Sequence, residues 1–367
     1  MQNCFDFADA LGPAKIIHVH EPSLALRAIL VVDNVARGPS IGGVRMAEDV
    51  SVEECVRLAR AMTFKNASAD LPHGGGKAVL FGDPKMDKAR KESLIRGLAR
   101  VLRNEEDYIF APDMGTDEQC MAWVRDEIGR AVGLPTAIGG IPLDEIGATG
   151  LGLAASIEVA AERIGMSLEG ARVAVQGFGA VGRNVARFLT ERGCLLIAAV
   201  DSGGGVVDHH GLDVDELAHA NATGTLAGLE VGDPIERDAI VGVECDIWIP
   251  AARPNVLHAD NVDQLHTRIV AEGANIPATP DAEARLHERG ILVLPDFIAN
   301  AGGVICGAVE YAGGTKRDAL TTIDERIRAN TAAMLDRADA DGVSPRAAAA
   351  VMARDRLDRA MSTRRFT

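Results

Sequence analysis

The chain has 367 residues, of which 47% are hydrophobic and 25% charged, and its formal net charge is −15. This length is sufficient for two domains with separate cores, and the acidic balance argues against a nucleic acid or an anionic membrane as partner. No apolar run is long enough to span a bilayer, so no membrane association is predicted.

The six cysteines form neither a C-x-x-C pair nor a cluster with histidine. We therefore expect thiols in a reducing compartment, and no metal site. Because the first residues lack the basic and apolar regions of a signal peptide, the predicted location is the cytoplasm.

Strand patterns at residues 16–20 and 26–33 open a first α/β domain. The segment from Ser51 to Glu54 has the form of a capping box, and the apolar residues after it recur at helical spacing. The predicted helix would bring Lys65 to its end or just beyond it.

Further elements are indicated later in the chain. Residues 79–81 and 108–111 are strand candidates, and residues 133–140, rich in Gly and Pro, indicate a linker to a second domain. Ser344 and Pro345 open a final predicted helix, as N-cap and first helical residue.

Lys77 ends the run His73-Gly74-Gly75-Gly76-Lys77. Alone, such a run would indicate a flexible surface loop. It also allows backbone and substrate to approach closely, and a lysine at the rim of such a site can lose solvation, which lowers its pKa towards neutrality. Asp113, in a loop before a second predicted capping box at residues 116–119, is the candidate proton partner. Lys77 and Asp113 are therefore the candidate catalytic residues.

A dinucleotide-binding fingerprint begins at Gly177. A predicted strand at residues 172–175 precedes Gly177, Gly179 and Gly182, and a predicted helix at residues 183–192 follows them. These glycines would permit a tight turn, the approach of a pyrophosphate to the backbone, and the packing of helix on strand.

Asp201 follows the next predicted strand, at residues 195–200, and lies 19 residues after Gly182. At this spacing a carboxylate accepts hydrogen bonds from the adenosine ribose. It would also repel the 2′-phosphate of NADP, and residues 202–205 contain no cation that would bind that phosphate. NAD is therefore the predicted cofactor.

Further motifs accompany these in a fixed order. They are residues 38–46 (Gly-Pro-Ser-Ile-Gly-Gly-Val-Arg-Met), 62–67 (Met-Thr-Phe-Lys-Asn-Ala), 145–150 (Glu-Ile-Gly-Ala-Thr-Gly), 249–252 (Ile-Pro-Ala-Ala), 272–275 (Glu-Gly-Ala-Asn) and 300–304 (Asn-Ala-Gly-Gly-Val). Together with Lys77, Asp113 and the fingerprint, they make the chain resemble the amino-acid dehydrogenase family that includes the glutamate, leucine, phenylalanine and valine dehydrogenases.

The resemblance implies an α/β fold in two domains. Residues 1–138 would form a domain for substrate binding and oligomerisation, joined by returning C-terminal helices at residues 335–367. Residues 139–334 would form a doubly wound Rossmann domain that binds NAD. The implied protein is a homo-oligomer, at least a dimer.

The implied reaction is the reversible, NAD-dependent oxidative deamination of an L-amino acid to a 2-oxo acid and ammonia. Lys65 would bind the substrate α-carboxylate, Lys77 would polarise the carbonyl or activate water, and Asp113 would move protons to and from the amino group. Thr149 would contact the nicotinamide carboxamide, and Asn275 would lie near the nicotinamide ribose and the substrate. The implied cofactor-binding residues are Thr149, Gly177, Phe178, Gly179, Ala180, Val181, Gly182, Asp201, Ala251, Ala252, Asn275 and Asn300.

Two positions depart from the pattern of glutamate dehydrogenases. Where glutamate dehydrogenases carry a lysine that binds the side-chain carboxylate, this chain has Ile41. Where they carry a serine that helps to hold the same group, it has Gly307. Because a buried carboxylate without partners is unfavourable, an apolar substrate is predicted, with Val304 as another wall. The implied substrate-binding residues are Lys65, Ile41, Gly42, Gly43, Asn275, Val304 and Gly307. Valine, leucine and phenylalanine are not distinguished, since one methylene changes binding by only ~1–3 kcal/mol.

Other interpretations stay open. Residues 140–150 look closer to glutamate-type enzymes, so glutamate dehydrogenase is an alternative. A catalytically silent, nucleotide-binding regulator is an alternative of another class, against which the retained lysines and Asp113 argue. A hydroxy-acid dehydrogenase would be expected to use a histidine base, for which no motif occurs. Arg45 is interpreted as a brace for a glycine loop, and His73 as either a loop residue or a substrate contact.

Overall fold

The structure is a computed structural model that describes residues 4–364. These residues form two compact units. The first consists of the described parts of Met1–Pro142, Val304–Ala319 and Val351–Thr367, and the second of Leu143–Gly303 and Leu320–Ala350. Each unit is built on one β-sheet with helices, so the predicted α/β class is confirmed, as is the return of the C-terminal chain to the first unit.

The first unit contains a five-stranded mixed sheet. Its elements in chain order are β1 (Lys15–Glu21), β2 (Leu26–Asn34), β3 (Ser40–Ala47), α1 (Val52–Ser68), β4 (Gly74–Phe81), α2 (Lys88–Val101), β5 (Tyr108–Pro112) and α3 (Glu118–Ile128). The strand order is β1-β2-β4-β3-β5, and β3 is parallel to both β4 and β5. Because side chains alternate across a strand, one face of the sheet packs on α1 and the other on α2 and α3.

The glycine run before Lys77 is the start of β4, the central strand of this sheet, and not the flexible surface loop that the run alone would indicate. A Cβ atom at Gly75 would lie 2.0 Å from the backbone nitrogen of Thr63 in α1. Close packing, rather than flexibility, therefore requires glycine here. Gly42 and Gly43 likewise lie within β3 and not in a loop.

The helix starts largely follow the sequence signals. The Ser51 hydroxyl accepts a hydrogen bond from the backbone N–H of Glu54 at 3.1 Å, which confirms the predicted cap of α1. Lys65 lies in the last turn of α1. The second cap is shifted by one residue, because Asp117 rather than Thr116 accepts the hydrogen bond from the first turn of α3, at 2.9 Å.

The second unit contains a seven-stranded sheet. The remaining elements of the chain are α4 (Ala148–Arg163), β6 (Arg172–Gln176), α5 (Ala180–Thr190), β7 (Leu195–Val200), β8 (Gly205–Val207), α6 (Val214–Thr223), β9 (Asp233–Ile235), β10 (Ile247–Pro250), β11 (Ile269–Ala271), α7 (Pro280–Glu288), β12 (Leu292–Leu294), α8 (Asp296–Ala299), α9 (Gly302–Tyr311), α10 (Lys316–Asp341) and α11 (Pro345–Ser362). The order is β12-β11-β10-β6-β7-β8-β9. The strands from β12 to β7 are parallel, and β8 and β9 form an antiparallel edge. This is a Rossmann-like sheet.

The predicted nucleotide-binding elements are present. Strands β6 and β7 coincide with their predictions, whereas α5 begins earlier than predicted, because Gly179 is its N-cap. At the final helix, the Ser344 hydroxyl accepts a hydrogen bond from the Ala347 backbone N–H at 3.3 Å, and Pro345 is the first residue of α11, as predicted. Within residues 4–364, no helix is both long and apolar enough to cross a membrane.

Candidate active site

The register of the first sheet brings Lys77 and Asp113 together. Strand β3 lies between β4 and β5, with Ile41 beside Gly75 of β4. Lys77 is further along β4, and Asp113 directly follows β5. The Lys77 Nζ atom lies 2.6 Å from Asp113 Oδ2, and the two side chains are only 8% and 19% exposed. The structure thus places both candidate catalytic residues in one ion pair.

Gly43 leaves the space that this ion pair occupies. A Cβ atom at this position would lie 2.7 Å from Asp113 Cβ and 3.2 Å from Lys77 Nζ, so a side chain here would displace the pair. Ile41 and Arg45 lie two residues before and after Gly43 in β3, and therefore share its face of the sheet.

Arg45 belongs to this site, and sequence reasoning missed it. Its Nε atom lies 3.2 Å from Asp113 Oδ2, and its Nη1 atom lies 2.7 Å from Glu54 Oε1 in α1. The interpretation of Arg45 as a brace for a glycine loop was wrong, because the glycines belong to β3. Recognition of that strand, whose alternation places Ile41, Gly43 and Arg45 on one face, would have identified it.

Asp113 is held as a carboxylate. Burial alone would raise its pKa, but the charges of Lys77 and Arg45 outweigh burial and keep the pKa of Asp113 below its ordinary value of 3.8. The Asp113 backbone N–H also donates a hydrogen bond to the Thr116 hydroxyl at 3.0 Å. Asp113 is therefore ionised at neutral pH and held in a fixed position.

The end of α1 is joined to the strands of this site. The Asn66 side-chain amide, which the sequence did not single out, donates hydrogen bonds to the carbonyl oxygens of Gly74 at 2.6 Å and Ile41 at 3.4 Å. Lys65, the residue before it, is half-buried in the last turn of α1. Its predicted contact with the substrate α-carboxylate stays a prediction.

The predicted side-chain pocket residues lie on two elements of the first unit. Ile41 is 2% exposed in β3. Gly307 is in α9, where an added Cβ atom would make an ordinary contact of 3.4 Å with Val132 Cγ2, and Val304, in the same helix, is half-buried. The Glu310 carboxylate accepts hydrogen bonds from two backbone N–H groups of the segment after Val132, at 3.2 and 2.7 Å. This carboxylate fixes α9 beside that segment.

His73 is buried immediately before β4. Its Nδ1 atom lies 3.1 Å from the carbonyl oxygen of Pro39, and its ring packs edge-on against Tyr311 with centroids 5.9 Å apart. Burial lowers the pKa of His73, so its imidazole is neutral at neutral pH. Its described contacts are with Pro39 and Tyr311, and its contact with a substrate stays a prediction.

The glycine fingerprint lies at the carboxyl end of β6. Gly177 has a φ of +98°, and a Cβ atom there would lie 2.6 Å from Ala252 Cβ. At Gly182 a Cβ atom would lie 1.9 Å from the Gly177 carbonyl oxygen. At Gly179, by contrast, no atom of the described residues lies within 4 Å of the Cβ position, apart from its chain neighbours and the adjacent backbone. The N-terminus of α5 is therefore open, as a pyrophosphate-binding helix end requires.

Asp201 directly follows β7. Its carboxylate accepts hydrogen bonds from the backbone N–H groups of Gly203 (2.8 Å) and Leu226 (2.7 Å), from the Thr225 hydroxyl (2.7 Å) and from the Asn221 amide (3.2 Å). Burial would raise the pKa of Asp201, but these donors keep it below its ordinary value. Asp201 is thus charged, and it holds the segment after α6 in place.

A surface depression connects Asp201 with the fingerprint. Sequence reasoning missed Arg237 and Arg253, which line it together with Gly177, Phe178, Gly179, Ala251 and Ala252. Arg237 Nε lies 2.8 Å from Asp238 Oδ1, and Arg253 Nη2 lies 3.7 Å from the same oxygen. Residues 202–205 contain no cation, but the side chains of Arg237 and Arg253, more than 30 positions later in the chain, line the depression. An arginine in such a place can bind the 2′-phosphate of NADP.

Asn275, Asn300 and Thr149 are further predicted cofactor residues, and all three lie in the second unit. The Asn300 side-chain amide donates hydrogen bonds to Asn275 Oδ1 and to the Gly273 carbonyl oxygen, both at 3.2 Å. Thr149 is the second residue of α4, and its hydroxyl lies 3.5 Å from the Cβ position of Gly303. For residues 4–364, no group of three or more His, Cys, Asp or Glu side chains could hold a metal ion.

Two family models match most of the chain. Residues 14–130 match the Glu/Leu/Phe/Val dehydrogenase dimerisation domain, and residues 139–365 match the glutamate/leucine/phenylalanine/valine dehydrogenase domain. The chain is 38% identical over 356 residues to a glutamate dehydrogenase of Aeropyrum pernix, covering 90% of this chain and 85% of the relative. Two other relatives are also 38% identical: an NADP-specific glutamate dehydrogenase of Saccharolobus shibatae (76% and 69% covered) and an NAD-specific glutamate dehydrogenase of Staphylococcus aureus (76% and 70%).

Solved structures agree with these matches. The hetero-hexameric glutamate dehydrogenase of Thermus thermophilus, in its Leu-bound form, has a TM-score of 0.85 at 32% identity, covering 97% of this chain and 91% of that chain. The L-tryptophan dehydrogenase of Nostoc punctiforme has a TM-score of 0.76 at 26% identity, covering 95% and 97%.

The fold, the paired lysine and carboxylate, and these matches establish an amino-acid dehydrogenase. Such enzymes use a nicotinamide cofactor. More narrowly, the chain belongs to the glutamate/leucine/phenylalanine/valine dehydrogenase family. The family predicted from the motifs is thus confirmed.

Proposed function

We propose that this dehydrogenase catalyses the reversible, NAD-linked oxidative deamination of an L-amino acid to a 2-oxo acid and ammonia. The observation that carries the proposal is the 2.6 Å ion pair between Lys77 and Asp113 beside Gly43. An ionised carboxylate accepts a proton at neutral pH. A lysine at hydrogen-bond distance adds a positive charge and a proton donor at the same place.

The candidate site residues of the first unit each contribute to this mechanism. Asp113 accepts a proton from the substrate ammonium group. A nicotinamide cofactor held by the second unit would supply the hydride acceptor for the hydrogen at Cα. Water adds to the imine carbon and releases one proton to solvent, and the Lys77 ammonium group donates a hydrogen bond to the hydroxyl oxygen that the addition forms. Asp113 then returns its proton to the amino group. As ammonia departs, the hydroxyl group releases its proton to solvent and becomes the carbonyl of the 2-oxo acid. Lys65 pairs with the α-carboxylate and orients Cα, while Arg45 keeps the Asp113 carboxylate from rotating away.

We propose NAD as the preferred cofactor. The charged Asp201 at the depression supports it, since a carboxylate there repels a 2′-phosphate. Arg237 and Arg253 in the same depression support some use of NADP, and relatives of both specificities are similar to this chain. Initial rates with NADH and NADPH test the preference. A higher kcat/KM for NADPH would reject it.

Glutamate is the substrate that the relatives support. The three relatives above are named glutamate dehydrogenases, and one of them matches 90% of this chain. On this evidence, glutamate is better supported than the apolar amino acid predicted from the sequence.

A specific observation nevertheless favours an apolar substrate as the second candidate. Ile41 is 2% exposed and shares a face of β3 with Gly43, next to the Lys77–Asp113 pair. By the family resemblance, this is the position at which glutamate dehydrogenases carry the lysine for the side-chain carboxylate. A carboxylate buried against an isoleucine would lack its partner. A structural neighbour that acts on an apolar amino acid is the tryptophan dehydrogenase.

A panel of 2-oxo acids with NADH and ammonia separates the two candidates. The highest kcat/KM with 2-oxoglutarate would establish glutamate, and the highest with the 2-oxo acid of valine, leucine, phenylalanine or tryptophan would establish an apolar substrate. An absence of turnover with every acid, although NADH binds, would reject the proposed reaction in favour of a nucleotide-binding regulator.

The double variant Ile41→Lys with Gly307→Ser tests the pocket itself. The new lysine should raise kcat/KM for 2-oxoglutarate relative to apolar acids by ~10–100-fold, the value of a charge-assisted hydrogen bond. Gly307→Ser alone is the matched control, because its Cβ atom would make only an ordinary contact with Val132. An unchanged ratio in the folded double variant would show that Ile41 does not face the substrate side chain.

We also propose a homo-oligomer, at least a dimer. The match of residues 14–130 to a dimerisation domain and the hexameric relative support this assembly. Light scattering after size-exclusion chromatography tests it, and a monomer at micromolar concentration would contradict it.

A further inference from the structure

Four charged side chains cluster in the second unit, outside the groups assigned so far. Arg346 is the second residue of α11, and its Nη2 atom lies 2.6 Å from Glu272 Oε2 and 3.1 Å from Asp296 Oδ1. Its Nε atom lies 2.7 Å from the Glu283 carboxylate, and its guanidinium group lies over the Phe297 ring at 5.3 Å. The Glu272 and Asp296 side chains are 0% and 9% exposed, so Arg346 donates hydrogen bonds to two buried carboxyl groups.

Two of these carboxyl groups hold the segments that carry Asn275 and Asn300. Asp296 Oδ2 accepts a hydrogen bond at 2.9 Å from the backbone N–H of Ile276, directly after Asn275. Glu272 Oε2 accepts one at 2.9 Å from the Asp296 backbone N–H, at the start of α8. The Asn300 backbone N–H closes α8 by donating to the Asp296 carbonyl oxygen at 2.8 Å. A continuous network therefore runs from Arg346 to both asparagines.

The backbone at Ile276 depends on this network. Ile276 has a φ of +49°, in the left-handed region that β-branched residues avoid. Its side chain is 58% exposed, so apolar packing contributes little to holding the conformation. Two hydrogen bonds hold it: the Ile276 N–H donates to Asp296 Oδ2, and the Ile276 carbonyl oxygen accepts from the Asn255 backbone N–H at 2.9 Å. Without Arg346, the buried Asp296 and Glu272 side chains would lose a hydrogen-bond donor and Asp296 its cation, an arrangement that relaxes by moving the segments.

We propose that Arg346 is a positioning residue, which holds Asn275 and Asn300 in the geometry that binds the nicotinamide half of the cofactor. The inference rests on the proposed function and on the family resemblance, which implies that both asparagines bind the cofactor and that Asn275 lies near the nicotinamide ribose. The adenosine half is assigned to Gly179 and Asp201, whose described contacts do not include the cluster. Loss of Arg346 therefore weakens the binding of one half of the cofactor and spares the other.

Arg328 offers a matched control for this test. Its side chain is 32% exposed, against 30% for Arg346, and it also binds two carboxylates, Glu158 at 2.6 Å and Asp324 at 2.9 Å. Its described contacts include no atom of residues 272–276 or 296–300.

The experiment measures the affinity of the full-length protein for NADH and for AMP, which carries only the adenosine half. Arg346→Met should weaken NADH binding and lower kcat/KM for NADH by ~10–100-fold, while the affinity for AMP stays at the wild-type value. Arg346→Lys keeps the charge but not the branched geometry, so it should rescue part of the loss. Arg328→Met and Arg328→Lys should bind both ligands as the wild type does.

Two results would overturn the proposal. One is an Arg346→Lys variant that binds NADH as tightly as Arg328→Lys does; the other is an equal loss of NADH and AMP affinity, which a general structural role would produce. The lysine variants decide the question if Arg346→Met does not fold. Because binding is measured without turnover, a wild-type protein that binds NADH but converts no 2-oxo acid refutes the proposed reaction and leaves this test valid.

Discussion

Replacement of Asp113 by Asn tests the centre of the mechanism. Asparagine keeps the shape of the side chain but does not accept the proton that the carboxylate, 2.6 Å from Lys77 and 3.2 Å from Arg45, is placed to accept. A positioned proton-transfer group contributes ~10²–10⁴-fold in rate, or about 3–5 kcal/mol of transition-state stabilisation. We expect kcat to fall by this factor while NADH affinity, whose proposed residues are all in the second unit, stays unchanged.

Glu54→Gln is the matched control for this substitution. Glu54 is also a carboxylate bound to Arg45, at 2.7 Å, and its side chain is 24% exposed, against 19% for Asp113. The chemical change is the same, but the described ion pairs of Glu54 do not include Lys77. We therefore expect a much smaller change in kcat.

The assay follows NADH absorbance at saturating ammonia and 2-oxo acid, with thermal unfolding to verify that each variant folds. Lys77→Ala should lose activity to a similar extent. The double variant should be about as slow as either single one, because groups that act as a unit are not additive. A folded Asp113→Asn variant with near wild-type kcat, or a Glu54→Gln variant equally slow, would refute the assignment of proton transfer to Asp113.

Other predictions address the cofactor and stability. Gly179→Ala should weaken NADH binding without lowering the melting temperature, since its Cβ atom has space in the protein but would meet the incoming pyrophosphate. Gly242→Ala is the control, because its Cβ atom also has open space among the described residues. It should change neither the NADH affinity, measured by titration, nor the melting temperature, measured by calorimetry. Asp201→Ser should lower the preference for NADH over NADPH and, by removing four hydrogen bonds, the melting temperature; an unchanged kcat/KM ratio would reject its role in specificity. Burial raises the pKa of Glu272 well above its ordinary value of 4.5. Between this ordinary value and the raised pKa, the folded chain keeps a proton that the unfolded chain releases. The free energy of unfolding therefore falls as pH rises. Glu272→Gln should reduce this fall above pH 4.5 in urea unfolding, and an equal slope in both proteins would contradict the protonated state.

The nucleotide-binding unit was largely predictable because its signals are local. Strand β6, the glycine turn and strand β7 lie in consecutive positions, and each residue pattern acts on its own backbone. The approach of Ala252 to Gly177 was not predictable, since β10, which precedes Ala252, pairs with β6 only in the folded sheet. The same folding brings Arg237 and Arg253 to the depression.

The catalytic unit was less predictable, and the glycines explain why. A strand is recognised from alternating apolar side chains, and β3 and β4 have glycine at positions where an apolar residue would reveal the alternation. Gly43 and Gly75 therefore indicated loops. In the structure, Gly43 leaves room for the Lys77 and Asp113 side chains, and Gly75 allows α1 to pack closely on the sheet.

The sequence by itself determined the family, the order of most elements and the pair of candidate catalytic residues, because motif order, helix caps and hydrophobic period are properties of short segments. Only the tertiary structure decided which groups surround that pair. Arg45 and Asp113 are 68 residues apart in the chain and meet because β3 and β5 are neighbours in a parallel sheet. Arg346 and Glu272 are 74 residues apart and meet where α11 begins. Contacts of such separation depend on strand pairing and helix packing, which no local pattern encodes.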